Sequence, residues 1–221
     1  MSITFDQGTG EYQGTSPITS ASVTPAAAGE IALISMYASF TGPSFTVSGT
    51  GGGTYNNGYQ TTGAGVTYGI GWATGLSGAA QTFTLTSGSY YVQGIAGVVL
   101  FSDVNSISNA AVTFNSTPGT GTGACVGTSV SVPANSVLVA CCSQLVYPTG
   151  TETITSPAGT SIFAGPSEPF PYLWVTYAGA GSNITPTFTC PTFGASDNYA
   201  VSQILLTPPG SDNAAIAAWV S

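Results

Sequence analysis

The amino-acid sequence predicts an all-β fold, an antiparallel β-sandwich, and three observations carry that prediction. Apolar and polar residues alternate with a period of two, and the continuous apolar runs are short. Clusters of Gly, Pro, Asn and Ser punctuate these segments at short intervals, as between the strands of a sandwich or barrel. Helix signals are nearly absent before residue 210. With 221 residues the chain is long enough for one large β domain or two small ones, and its 43% hydrophobic content is enough for a packed core despite 30 glycines.

Taken in order, Ile3-Thr4-Phe5-Asp6 opens with alternation. The run Glu30-Ile31-Ala32-Leu33-Ile34-Ser35-Met36 is continuously apolar, which predicts a central strand covered on both faces. Phe45-Thr46-Val47 alternates, and Gly51-Gly52-Gly53 behind it reads as a flexible turn. It is no phosphate cradle, because no helix follows and no Lys or Ser/Thr motif accompanies it. Gln81-Thr82-Phe83-Thr84-Leu85-Thr86 alternates again. The Thr, Gly, Asn and Ser-rich stretch from Asn109 to Gly123 contains Ala111-Val112-Thr113-Phe114, so it reads as a crossing strand rather than a linker. Ser129-Val130-Ser131-Val132 alternates, and Ser136-Val137-Leu138-Val139-Ala140-Cys141 predicts a second doubly covered strand.

These segments recur in the same order at an offset of roughly 105 residues, the mark of an internal repeat. Ile31-Ala32-Leu33-Ile34 is echoed by Val137-Leu138-Val139-Ala140, Tyr68-Gly69-Ile70-Gly71-Trp72 by Pro171-Tyr172-Leu173-Trp174, and Val98-Val99-Leu100-Phe101 by Gln203-Ile204-Leu205-Leu206. Trp72 and Trp174, at matching places, are expected in the core. The expected organisation is a single sandwich domain over residues 1–210, with pseudo-repeats at about 20–107 and 125–208. Residues 211–221 form a C-terminal tail with a possible short helix, on which Ile216, Trp219 and Val220 share one face. So short a helix needs a surface to lie on, its own domain or a neighbouring subunit.

The charge balance removes whole classes of chemistry. There is no lysine, arginine or histidine against eight carboxylates, a formal charge of -8. Phosphate neutralisation has no side-chain cation, so nucleic acid is not an expected partner, and an anionic membrane surface would repel the chain. Without imidazole there is no His-based triad, no His metal site and no neutral-pH proton shuttle. No segment has the roughly 18–20 unbroken apolar residues of a membrane helix. The start has neither a basic region nor an apolar core, so no signal peptide is expected.

The remaining candidates are few. Cys125, Cys141, Cys142 and Cys190 lack the paired C-x-x-C spacing of a zinc site, and Cys141 and Cys142 point to opposite faces of any strand. Cross-strand disulfides, one of the vicinal pair with Cys190 among them, and buried thiols are both open readings. No cofactor is expected; calcium is the weak exception, with Asp103 and Asn105, and Asp197 and Asn198, as short oxygen-ligand clusters. No two carboxylates are close in sequence, as a His-free glycosidase would need them in space. Tyr55, Tyr59, Tyr90, Tyr91 and Tyr147 lie beside Gly, Asn, Ser or Pro and are candidate glycan contacts, with core or cross-strand packing as the plainer reading.

Ile3-Thr4-Phe5-Asp6, Thr15-Ser16-Pro17-Ile18-Thr19, Ile31-Ala32-Leu33-Ile34, Val98-Val99-Leu100-Phe101-Ser102-Asp103-Val104 and the closing Ala200-Val201-Ser202-Gln203-Ile204-Leu205-Leu206-Thr207-Pro208 together form a pattern. It resembles the glycine- and threonine-rich β-sandwich (jelly-roll-like) proteins of phage virions and environmental bacterial surfaces. The resemblance implies a structural or surface-attachment role and carries over no active-site residues. The expectation is therefore a non-enzymatic structural subunit of a virion or extracellular filament. Its partners would be copies of itself or other structural subunits, met through Ile3 and Phe5 of an N-terminal strand and Ile216, Trp219 and Val220 of the tail. The alternative is a carbohydrate-binding or host-adhesion module with a surface glycan as partner.

Overall fold

A computed structural model of the chain describes residues 2–10, 12–38, 44–63, 65–87, 93–116, 121–144, 153–165, 172–193 and 198–210. Every regular element among them is a strand. In chain order the first are β1 (Thr4–Thr9), β2 (Tyr12–Gly14), β3 (Ile18–Thr19), β4 (Ile31–Ala38), β5 (Phe45–Gly49), β6 (Thr54–Gly63), β7 (Val66–Thr74), β8 (Phe83–Ser87) and β9 (Gln93–Ser102). Then come β10 (Ser106–Ser116), β11 (Gly121–Val126), β12 (Val130–Val132), β13 (Val137–Gln144), β14 (Thr153–Ser156), β15 (Thr160–Ala164), β16 (Tyr172–Ala178), β17 (Ser182–Ile184), β18 (Thr187–Phe193) and β19 (Asn198–Thr207).

Alternation decides which way each strand faces. In β5, Phe45 and Val47 are buried while Thr46 and Ser48 are exposed, and β8 buries Phe83 and Leu85 in the same manner. β4 is buried at every position, as its unbroken apolar run predicts. The pairings are antiparallel throughout and make two large and two small sheets. The first large sheet runs β1-β9-β4-β7-β6, with β2 also on β9, and the first small sheet runs β3-β8-β5. The second large sheet runs β10-β19-β13-β16-β15, the second small sheet β11-β18-β14, and β12 pairs with β17 as a separate ribbon.

Three cores fill the spaces between these layers. Ile34, Met36, Leu100, Phe45, Phe83 and Leu85 join the first large sheet to its small sheet. Leu138, Cys142, Val175, Tyr177, Phe188 and Val201 do the same in the second pair. The third core lies between the two large sheets, where Leu33, Tyr68, Ile70 and Val99 meet Val139, Trp174, Ile204 and Leu206. Successive residues of β4 thus serve different cores, Leu33 the central one and Ile34 the outer one. The layers run small, large, large, small. Across the central core the Tyr68 hydroxyl donates to the Asn198 carbonyl at 2.8 Å.

Trp174 is fully buried in the central core, and Gly97 makes room for it: φ there is +118°, and a Cβ would lie 2.7 Å from the indole Nε1. Trp72 departs from expectation. It is half-buried at the margin of that core, opposite Leu33, whereas Trp174 stands opposite Cys141. Since Ile31 and Val137 both pair with closing strands, at Phe101 and Leu206, it is Ile70 opposite Ser35 that matches Trp174. The two tryptophans are two residues out of register.

The exposed edge of β5 is covered without a further strand. The Phe45 N–H donates to Gln60 Oε1 at 2.9 Å, Gln60 Nε2 donates back to the Phe45 carbonyl at 3.0 Å, and the Val47 N–H donates to Asn57 Oδ1 at 2.9 Å. A bulge between Asn56 and Tyr59 aims these amides at β5, and Gly58 within it has φ +67° with no space for a Cβ beside the Ile70 carbonyl. Gln60→Ala removes two of the three bonds and leaves β5 held only through Asn57. It is expected to lower stability by about 1–3 kcal/mol in denaturant unfolding and to raise light scattering at equal concentration. An unchanged midpoint would show that the amides do not hold this edge.

Candidate functional site

Three of the four cysteines converge in the core of the second sheet pair. Cys125 on β11 lies opposite Phe188, and Cys190 on β18 lies opposite Gly123, so the two are diagonal neighbours on one face of the small sheet. β13 brings Cys142 onto them from the facing large sheet. The Sγ atoms of Cys125 and Cys190 are 2.7 Å apart, those of Cys142 and Cys190 3.6 Å, and all three lie within 4.8 Å of one another. All are fully buried. Hydrogen bonds from the thiols of Cys142 and Cys190 lower the pKa of Cys125. Burial, foremost, drives Cys142 upward, and burial with the proximity of Cys142 does the same to Tyr177. Among the described residues this is the only group of three or more His, Cys, Asp or Glu side chains close enough to share one ion.

Cys141 lies outside the cluster. Strand alternation turns it into the central core, with Sγ 3.7 Å from the Cys142 carbonyl, which removes it from the candidate disulfides. The separation of the vicinal pair was legible from strand geometry. The trio was not, because a search for C-x-x-C spacing runs along the chain, while these residues come from three strands in two sheets.

A carboxyl pair also forms. Glu30, immediately before β4, is 3% exposed and meets Asp6 of β1. Burial raises the Glu30 pKa above its ordinary 4.5, and the charge of Asp6 and a hydrogen bond with it raise it further, against small opposing contributions from the Ala27 and Ala26 backbone. Asp6 Oδ2 accepts from Gln7 Nε2 and from the Ala26 N–H, each at 3.2 Å. Glu30 Oε2 is buried with no hydrogen-bond partner.

The other sequence candidates disperse. Asp103 occupies an exposed turn with φ 58°, and the Asn105 N–H donates to the Thr207 carbonyl, whereas Asn198 lies at the far end of β19. At about 3.3 Å per residue these two places are roughly 30 Å apart, so the two clusters stay separate. Tyr55 is half-buried with its ring edge-on to Phe83 at 6.4 Å, so it packs inward, while Tyr59 is 50% exposed. Phe5 packs edge-on against Phe101 at 5.8 Å, and with Ile3 it lines a cleft of about 130 Å³ beside Val137 and Thr176. β1 pairs with β9 of the same chain, Phe5 opposite Phe101. Tyr90, Tyr91, Tyr147, Asp197, Ile216, Trp219 and Val220 lie outside the described residues.

No protein-family model matches the chain, and no characterised protein or solved structure is significantly similar to it.

The carboxyl pair has a definite pH signature. A carboxyl whose folded pKa is raised binds its proton more tightly in the folded chain. The stability it lends is present below 4.5 and lost as pH rises through the higher folded value. Denaturant midpoints are therefore expected to fall between pH 4 and pH 7, and Glu30→Gln, neutral at both, to flatten that fall. The same slope in native and variant protein would place its origin elsewhere.

Proposed function

We propose that the chain is a non-enzymatic structural subunit of a virion or extracellular filament, and that it acts by packing against copies of itself or other structural subunits. The observation that carries this reading is the chemistry of the two outermost faces. The strands of the small sheets, β3, β5 and β8 on one side and β11, β14 and β18 on the other, contain no charged residue. Their exposed positions include Thr19, Thr46, Ser48 and Thr86 on the first, and Thr153 and Thr155 with Ala124 and Val126 on the second. Neighbouring hydroxyls bond laterally, Thr19 with Thr84 at 3.1 Å and Thr155 with Thr189. Exposed Val126 gives the second face an apolar contact. A chain of net charge -8 thus carries two faces whose own strands bring no like charges together, which favours stacking of subunits.

We read the architecture as a duplicated jelly-roll-like unit. The chain crosses repeatedly between large and small sheets, and in each large sheet the opening strand lies beside the closing one, followed by the fourth, seventh and sixth strands counted from the opening one. Packing between them supports the same reading. Gly8 of β1 seats the Phe163 ring of β15, and Gly63 of β6 seats the Phe114 ring of β10. The opening strand of each large sheet therefore meets the far edge strand of the other, the relation of two copies across a two-fold axis. A sandwich that pairs with its own copy inside one chain is a natural unit for further assembly. The absence of Lys and Arg also leaves trypsin-like proteases no cleavage site, which suits a virion or extracellular surface.

Sedimentation velocity at micromolar concentration and neutral pH tests the proposal. The native chain is expected to sediment as an oligomer, and Thr84→Glu with Thr189→Glu to weaken association at least about tenfold with the β-sheet circular dichroism retained. A native chain that remains monomeric would refute it.

A further inference from the structure

The thiol cluster is unrelated to the outer faces and is chemically the most distinctive feature of the molecule. The Sγ atoms of Cys125 and Cys190 approach to 2.7 Å, well inside the separation of unbonded sulfurs and somewhat beyond the bond length of about 2.05 Å. They lie on adjacent strands of one sheet, diagonal across the ladder and facing the same core. Cys142 is 3.6 Å from Cys190.

Two chemistries suit three buried sulfurs, a soft metal ion held by thiolates or a disulfide. Charge separates them. A mono- or divalent ion on three thiolates leaves net negative charge in an apolar core, and the chain has no Lys, Arg or His to compensate it. A disulfide is neutral. The unequal sulfur separations also suit a bonded pair with a third sulfur nearby better than a symmetric ligand set. We infer that Cys125 and Cys190 are joined by a disulfide in the folded protein, with Cys142 retained as a thiol within exchange distance of Cys190.

The bond forms by thiol–disulfide exchange with a low-molecular-weight disulfide such as glutathione disulfide, as the small sheet closes on the large one. The Cys125 thiolate, favoured by the hydrogen bonds it accepts, attacks the small disulfide and expels one thiolate, which takes up the Cys125 proton. Cys190, losing its proton, then attacks Cys125 Sγ and expels the second. Two protein thiols and one small disulfide become one protein disulfide and two small thiols. The link joins residues 65 apart in sequence. Cys190 is the shared sulfur: attack on it by Cys142 would release Cys125 and move the link from within the small sheet to across the core.

The full-length protein, refolded in a glutathione redox pair, is alkylated in denaturant without reductant. It is then digested with chymotrypsin, since trypsin has no site. The expected result is a cross-linked Cys125–Cys190 peptide, alkylated Cys141 and Cys142, and a thermal midpoint about 5–10 °C above that of the reduced protein. Cys142→Ser should retain the link, Cys190→Ser should lose every intramolecular link, and Cys125→Ser should transfer it to Cys142–Cys190. Four alkylated thiols in the native chain would overturn the inference. So would a Cys125–Cys142 link in Cys190→Ser, or a copurifying metal ion that shields three thiols.

Discussion

A polypeptide with no lysine, arginine or histidine has to meet every electrostatic demand of its fold with neutral groups, and the structure is organised around that constraint. Sheet edges, which many proteins protect with lysine, are here met by amides: Gln60 and Asn57 stand in for a strand along β5. Asp6 finds a side-chain amide and a backbone N–H where an ion pair would be usual. Glu30, buried beside it, is driven toward the protonated state instead of being neutralised by a cation. Threonine hydroxyls bond to one another across the small sheets. Each solution uses dipoles or a neutralised carboxyl, which tolerate burial better than an unpaired charge does.

With ion pairs unavailable, cohesion falls to apolar burial and backbone pairing. This explains the layering. The two large sheets are antiparallel, yet they are covered on both faces as parallel sheets usually are, so their central strands read as unbroken apolar runs. The small sheets, one face covered and one wet, alternate cleanly. Truncating a side chain such as Trp174 to alanine in a core typically costs about 3–5 kcal/mol, comparable to the whole net stability of many domains.

What the sequence discloses and what it withholds follow from the range of the interactions. Burial on two faces is a local signal, so β4 and β13 could be read directly, as could the opposed directions of Cys141 and Cys142. Partnerships across sheets are not local. Asp6 meets Glu30 because β1 runs beside the entry to β4, and Cys125 meets Cys190 because of a ladder register that no spacing rule contains. Trp72 was misplaced for a related reason: similar runs can be aligned two residues apart without disturbing the alternation, and only the pairing with the closing strand fixes the offset. Tyr55, flanked by threonine and asparagine, has the neighbours of a surface residue but turns its ring against Phe83.

Register also sets the thiol cluster apart from the first sheet pair. There Ile18 of β3 stands directly opposite Leu85 of β8, whereas Cys125 of β11 and Cys190 of β18 are diagonal across their ladder. Met36 of β4 packs in the same apolar core as Ile18 and Leu85, while Cys142 of β13 meets two further sulfurs. Thirty glycines make the unfolded chain unusually rich in conformations, and a covalent link acts on that side of the equilibrium, where added packing cannot. In the second sheet pair the Cys125–Cys190 link we propose would act on that term.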